Sequence, residues 1–150
     1  MARLEYRLLD EEKGFPIISF YSQISKEEVL LRFACDYFVQ DHKSYEVTSC
    51  AIEEGVYIIY VRVDPEKKIV DSQLTFMPNW DGIRIELRHY QRGVKEDKLV
   101  HRFHFHDWQE ALAHLLSNFL YLEEVEWERV VSEIDENRKV YVYYARPTSN

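Results

Sequence analysis

The residues with the most chemical capacity lie close together, in His101-Arg102-Phe103-His104-Phe105-His106-Asp107. If this run is a strand, His104 and His106 project from one face, because successive side chains alternate. Two neutral imidazoles so spaced can ligate one zinc or iron ion, with Asp107 or a carboxylate from another strand as a third ligand. Such a site would serve a metal-dependent or general acid–base enzyme. Two features oppose it. Asp107 is also the best cap for a following helix. The register derived next sets Arg84 opposite His104, and a fixed positive charge beside a metal ion is unfavourable.

The other chemistry is electrostatic. Ile83–Tyr90 and Lys98–Phe105 read as the two arms of a hairpin, and matching their apolar faces sets the register. Ile83 then opposes Phe105, Ile85 opposes Phe103, Leu87 opposes His101 and His89 opposes Leu99. A slip by one residue would mix buried and charged positions. On the opposite face Arg84 meets His104, Glu86 meets Arg102, Arg88 meets Val100 and Tyr90 meets Lys98. The candidate ligand-binding residues are therefore Arg84, Arg88, Tyr90, Lys98, Arg102 and His104. They suit a phosphate, a carboxylate or an acidic protein partner, since Arg offers a planar fork of donors. The plainer alternative is a solvated outer face with a Glu86–Arg102 pair worth about 0.2–1 kcal/mol.

Both chemistries need a sheet to present them. Gly14, Gly55, Gly82 and Gly93 each sit in a polar cluster followed by an apolar residue, the pattern of turns opening into strands. Strands are expected at Phe15–Tyr21, Tyr45–Glu53, Val56–Val63 and Val70–Met77. Tyr57, Ile59, Val61 and Val63 should meet Phe76, Leu74, Ser72 and Val70. Ser25 and Glu28 form a capping box ahead of a helix near Lys26–Gln40. Its polar residues Glu28, Arg32, Asp36 and Gln40 make a narrow stripe, which implies burial on more than one side. Asp107 and Glu110 cap a second helix, ending near Tyr121 because Glu123 and Glu124 would oppose the helix dipole. The tail Glu126–Arg146 reads as a terminal hairpin turning at Asp135-Glu136-Asn137-Arg138. No repeat is evident. The expected fold is a single α+β domain over residues 1–150. An antiparallel sheet of hairpins packs with two principal helices, about 26–40 and 108–121, and ends in a C-terminal β-hairpin.

Other motifs are absent. There is no phosphate loop, no glycine-rich dinucleotide fingerprint, no nucleophile elbow and no H-E-x-x-H, so no cofactor is expected. His114 reads as a solvated helix residue, and His89 and His101 as core-edge histidines. Glu123, Glu124, Glu126 and Glu128 read as a solvated acidic segment, and Tyr141, Tyr143 and Tyr144 as sheet-packing rings. Cys35 and Cys50 form no C-x-x-C pair and read as reduced thiols of a cytoplasmic protein.

The charge balance of 19 basic and 27 acidic residues, net −8, disfavours nucleic acid and anionic lipid as partners. The first residues carry no apolar signal region, and no apolar run is long enough to span a bilayer. The expected function is that of a small non-catalytic cytoplasmic binding module. A homodimer is a further expectation, since exposed sheet edges and a broadly apolar helix invite association. The alternative remains the enzyme built on His104 and His106.

Overall fold

The computed structural model describes residues 1–71 and 79–149. It overturns the antiparallel α+β expectation. The protein is mostly β, with 54% strand and 14% helix, and its ten-stranded sheet mixes parallel and antiparallel pairs.

The chain first forms a hairpin of β1 (Ala2–Leu8) and β2 (Ile17–Ile24), then α1 (Lys26–Phe33). A meander follows, of β3 (Tyr37–Gln40), β4 (Lys43–Glu53) and β5 (Val56–Val63). The same series then recurs. The hairpin is β6 (Ile83–His89) with β7 (Lys98–Phe105), the helix is α2 (Trp108–Leu116), and the meander is β8 (Phe119–Leu122), β9 (Val125–Asp135) and β10 (Val140–Pro147). In each half the last strand lies parallel to the first, β5 beside β1 and β10 beside β6. A parallel pair needs a long crossover, and the intervening strands and helix supply it. The halves join where β3 runs parallel to β9. The strand order is β2-β1-β5-β4-β3-β9-β10-β6-β7, with β8 also on β9.

The correspondence between halves extends to detail. Ser25 caps α1, and Asp107, 82 positions on, caps α2. The β3–β4 turn has positive φ at Asp41 and His42, and the β8–β9 turn has it at Glu123 and Glu124. The ladders are interrupted at equivalent points, by Ile18 and Val100 in the hairpins and by Thr48 and Val130 in the meanders. One supersecondary unit, hairpin–helix–meander, is therefore present twice, against the expectation of no repeat.

Both helices end early. Tyr37–Gln40 and Phe119–Tyr121, expected as last helical turns, lie in strands. Tyr37, Phe38 and Val39 suit a pleated surface. Asp36 also ties the chain to β9, because its Oδ2 accepts from the Ser132 amide at 2.9 Å and from Arg129 Nη2 at 2.7 Å. Glu123 and Glu124 form a hairpin turn rather than a helix end. β5 has both edges occupied, by β1 and β4, so the expected β5 hairpin with Val70–Met77 is not its pairing. Residues 72–77 of that expected strand lie outside the described residues. The C-terminal hairpin is present as β9–β10.

The two helices touch each other and cover one face of the sheet. Leu4, Tyr6, Leu31, Phe38, Ile59, Ile85, Leu87, Leu115, Tyr141 and Tyr143 form the main core there. β10 is buried on both faces: Val140, Val142 and Tyr144 pack with Tyr90 and Val131 on the far side. Among the described residues no helix is long and apolar enough to cross a membrane.

Candidate functional site

The duplicated unit opens with one charge pattern, Arg3-Leu4-Glu5-Tyr6-Arg7 on β1 and Arg84-Ile85-Glu86-Leu87-Arg88 on β6. Alternation puts the three charged residues of each run on the face away from the helices. On β1 the pattern closes on itself. Arg3 Nε donates to Glu5 Oε2 at 2.7 Å, and Arg7 donates to Oε1 at 2.9 and 2.6 Å. The Arg3 guanidinium also sits 4.6 Å from the centre of the Phe20 ring. The hydrogen bond from Arg3, joined by Arg7, outweighs burial and holds the Glu5 carboxyl below its ordinary value.

On β6 the pattern stays open. Arg88 Nε donates to Glu86 Oε1 at 2.9 Å, but Oε2 accepts from Arg138 Nη1 at 2.8 Å. Arg138 comes from the turn between β9 and β10. That turn has four residues, Glu136 to Lys139, where the equivalent β4–β5 turn has only Glu54 and Gly55. Asp135 holds Arg138 in place: its Oδ1 caps the Asn137 and Arg138 amides, and its Oδ2 accepts from Arg138 Nε at 2.8 Å. Arg84 is displaced from Glu86. It donates instead to the carbonyls of Asn79 and Lys139. Its equivalent seat is also missing, since the position of Phe20 is occupied by Arg102.

Glu86, Arg88, Asp135 and Arg138 are all buried. Burial alone would raise the Glu86 carboxyl, yet the hydrogen bond and charge of Arg138, with Arg88, hold it low. Burial would lower Arg138, yet Glu86 and Asp135 raise it above the ordinary guanidinium value. Nearby, burial raises the Glu133 carboxyl in spite of Lys67, whose Nζ lies 3.0 Å from Glu133 Oε1.

A cavity of about 510 Å³ opens beside this cluster. Arg84, Arg88, Arg102, Arg138, His104 and Glu86 line it, with Val70, Phe103 and Val140 as apolar wall. Arg84 Nε and Arg138 Nη2 are buried without a hydrogen-bond partner among the described residues. Arg102 makes no hydrogen bond or ion pair among the described residues. A buried donor left unpaired costs about 1–3 kcal/mol, so these atoms are open capacity for a ligand.

Of the residues expected from the sequence, Arg84, Arg88, Arg102 and His104 are brought together at this cavity. Tyr90 and Lys98 are not. The expected register holds from Ile83↔Phe105 to Leu87↔His101, and then Val100 bulges, pairing Arg88 with Leu99 and His89 with Lys98. Tyr90 lines a separate, smaller cavity of about 240 Å³ with Lys67, Lys68 and Asp97. Glu86 and Arg102 are cross-strand neighbours as expected, but Glu86 bonds Arg88 and Arg138 instead. Sequence reasoning missed Arg138, which it placed in a turn and gave no role. The longer turn, set against Glu54-Gly55 in the other half, was the available signal.

His104 and His106 have ring centres 4.9 Å apart. His104 Nε2 lies 3.1 Å from the Asp81 carbonyl, and its ring rests so close to Gly82 that a Cβ there would collide with it. Asp107 caps α2 through the Gln109 amide at 2.9 Å. Among the described residues no three His, Cys, Asp or Glu side chains are grouped to hold a metal ion. His114 is half-buried rather than solvated, its ring 4.9 and 4.7 Å from Phe103 and Phe105.

Arg32, expected on the narrow polar stripe of the first helix, is only 2% exposed. Its Nη1 donates to the hydroxyls of Tyr6 and Tyr21 at 3.3 and 3.2 Å, and Nη2 lies 3.4 Å from Glu136. Trp80 Nε1 donates to the same carboxylate at 3.0 Å. This cluster pins the segment before β6, and with it the cavity rim at Asn79 and Arg84.

No family model matches the chain, and no curated protein or solved structure matches it.

Proposed function

We propose that this chain is a cytoplasmic binding module that holds a small organic anion in the arginine-lined cavity of its second half. The supporting observation is an excess of cations with unused donors. Four guanidiniums line the cavity, while Glu86, Asp135 on Arg138 and Glu96 on Arg88 supply three carboxylates, in a chain of net charge −8. The one surplus guanidinium, with the unused Arg84 Nε and Arg138 Nη2 donors, suits a phosphate monoester, whose several oxygens accept more than one bond. Arginine forks suit phosphate oxygens, and the apolar wall suits the organic body of the ligand. The cavity size falls in the range of about 300–1,000 Å³ common for small-molecule sites.

Calorimetry with phenyl phosphate and with benzoate tests this. Phenyl phosphate binds the parent more tightly than benzoate. Arg102→Gln weakens phenyl phosphate at least tenfold without changing thermal stability, because Arg102 is exposed and unpaired. If neither probe binds, or if Arg84→Gln with Arg102→Gln leaves the affinity unchanged, the cavity is not an anion site.

A further inference from the structure

The duplicated unit contains one joint and two unused halves of that same joint. In the joint, Tyr37, Phe38 and Val39 of β3 pair with Glu133, Ile134 and Asp135 of β9. Backbone bonds close both ends, Asp36 N to Ser132 O at 2.9 Å and Glu136 N to Val39 O at 2.8 Å. Phe38 and Val39 are fully buried there, and Ile134 is 1% exposed. The equivalence of the halves assigns Phe119, Leu120 and Tyr121 of β8 to the β3 side of such a joint. It assigns Ala51, Ile52 and Glu53 of β4 to the β9 side. Among the described residues neither segment has a strand on that edge. Ile52 is 63% exposed and Tyr121 72%, where their counterparts Ile134 and Val39 are buried. Phe119 is exposed as well.

We infer that a second copy of this chain docks on these edges, with β8 of one copy parallel to Ala51–Glu53 of the next. The contact repeats between chains the joint that β3 and β9 make within one. This inference is independent of the anion site. Unpaired edges with apolar side chains favour strand addition, and the internal joint shows that this backbone register is one the unit can form. The association is head to tail, so a pair keeps one free β4 end on one copy and one free β8 edge on the other. Charge limits its strength. Glu123 and Glu124 flank one side and Glu53 and Glu54 the other, all exposed. In the internal joint, by contrast, Glu133 is paired with Lys67 and Asp135 with Arg138. Glu53 has Arg7 at 3.8 Å, and salt screens the other three acids, so association strengthens with ionic strength.

Sedimentation equilibrium on the full chain tests the inference. The average mass rises with concentration, at least twofold at high salt and less at low salt. Ile52→Lys and Tyr121→Lys each stay monomeric, and both positions are exposed enough to tolerate lysine. Mixing the two variants restores association, but only to a two-chain complex, because one supplies an intact β8 edge and the other an intact β4 end. A covalent test uses the exposed thiol of Cys50, the counterpart of Ser132. Asn118→Cys, at the counterpart of Asp36, forms a disulfide with Cys50 of another copy under mild oxidation, and adding Cys50→Ser abolishes it. A parent that stays monomeric throughout overturns the inference. So does a variant mixture that fails to form the two-chain complex, or a crosslink that survives Cys50→Ser.

Discussion

In the first half of the molecule Glu5 takes both arginines of its own strand, while in the second half Glu86 takes one and reaches Arg138 for the other. The strand pairings and the bulges at Ile18 and Val100 correspond around the two carboxylates, while a further shift between Ala2 and Leu4 occurs in the first half alone. Two local differences separate the outcomes. The β9–β10 turn is two residues longer than the β4–β5 turn, and it delivers Arg138. The ring under Arg3, Phe20, is replaced by Arg102, so Arg84 has no seat. A shared scaffold with a shared charge pattern thus yields a closed ladder in one half and an open cationic cavity in the other. The binding capacity lies in how the halves differ.

The largest expected effect breaks the buried side of this comparison. Arg138→Ala leaves Glu86 without one partner and Asp135 without its ion pair, both buried. Removing one partner of a buried pair typically costs about 3–5 kcal/mol, and the same loss is expected here from urea unfolding. A cost below about 1 kcal/mol, the range of exposed pairs, would place Arg138 in solvent-like surroundings.

Acid unfolding should separate the carboxylates by sign. The folded Glu86 carboxyl is held below its ordinary value, so the unfolded chain binds more protons across that interval. Its contribution is full above the ordinary glutamate value of about 4.3 and is lost as pH falls through the lowered folded value. The stability gap between the parent and Glu86→Gln should therefore be widest near neutrality and shrink in acid. Glu133 and Asp135 are raised by burial, so their effect runs the other way, costing stability as pH rises through their folded values. A gap that widens in acid would contradict the assignment for Glu86.

How far all this was legible depended on whether the signal was local. The β6–β7 register could be read because Ile83, Ile85 and Leu87 alternate against Phe105, Phe103 and His101, and the Glu54-Gly55 turn marked the β4–β5 hairpin. The bulge at Val100 left no mark in the pattern. The short strands β3 and β8 follow their helices with apolar residues, and four residues are too few to separate a period of two from 3.6. The placement of β5 between β1 and β4 is long-range and has no local trace. The repeat was hidden because equivalent core positions keep only their apolar character, as Tyr6 with Leu87, Phe38 with Leu120 and Tyr45 with Trp127. At Arg32 and His114, even polarity of surroundings diverged.

A smaller effect sharpens the comparison by making the second half resemble the first. Arg102→Phe restores at β7 the ring that Arg3 rests on in β2. Arg84 then has a seat over an aromatic face, an interaction of about 0.5–1 kcal/mol at exposed sites. The thermal midpoint should rise slightly while phenyl phosphate binding is lost. Retained binding would show that Arg102 and the ring are interchangeable there, and that the charge surplus does not select the ligand.

The smallest effect is expected in the closed ladder itself. Arg7→Gln removes two hydrogen bonds to Glu5, yet Arg3 still donates to the other carboxylate oxygen. The Arg7 side chain is 27% exposed, so the pair is partly screened by water. Exposed pairs measure about 0.2–1 kcal/mol, and this one should fall in that range by urea unfolding. Glu5 keeps a cationic neighbour, unlike Asp135 in Arg138→Ala, which is why a difference of several-fold separates two arginines that flank equivalent carboxylates. Equal costs for Arg7→Gln and Arg138→Ala would mean that burial does not distinguish the two halves, and the contrast between a closed ladder and a buried, ligand-ready cluster would have to be abandoned.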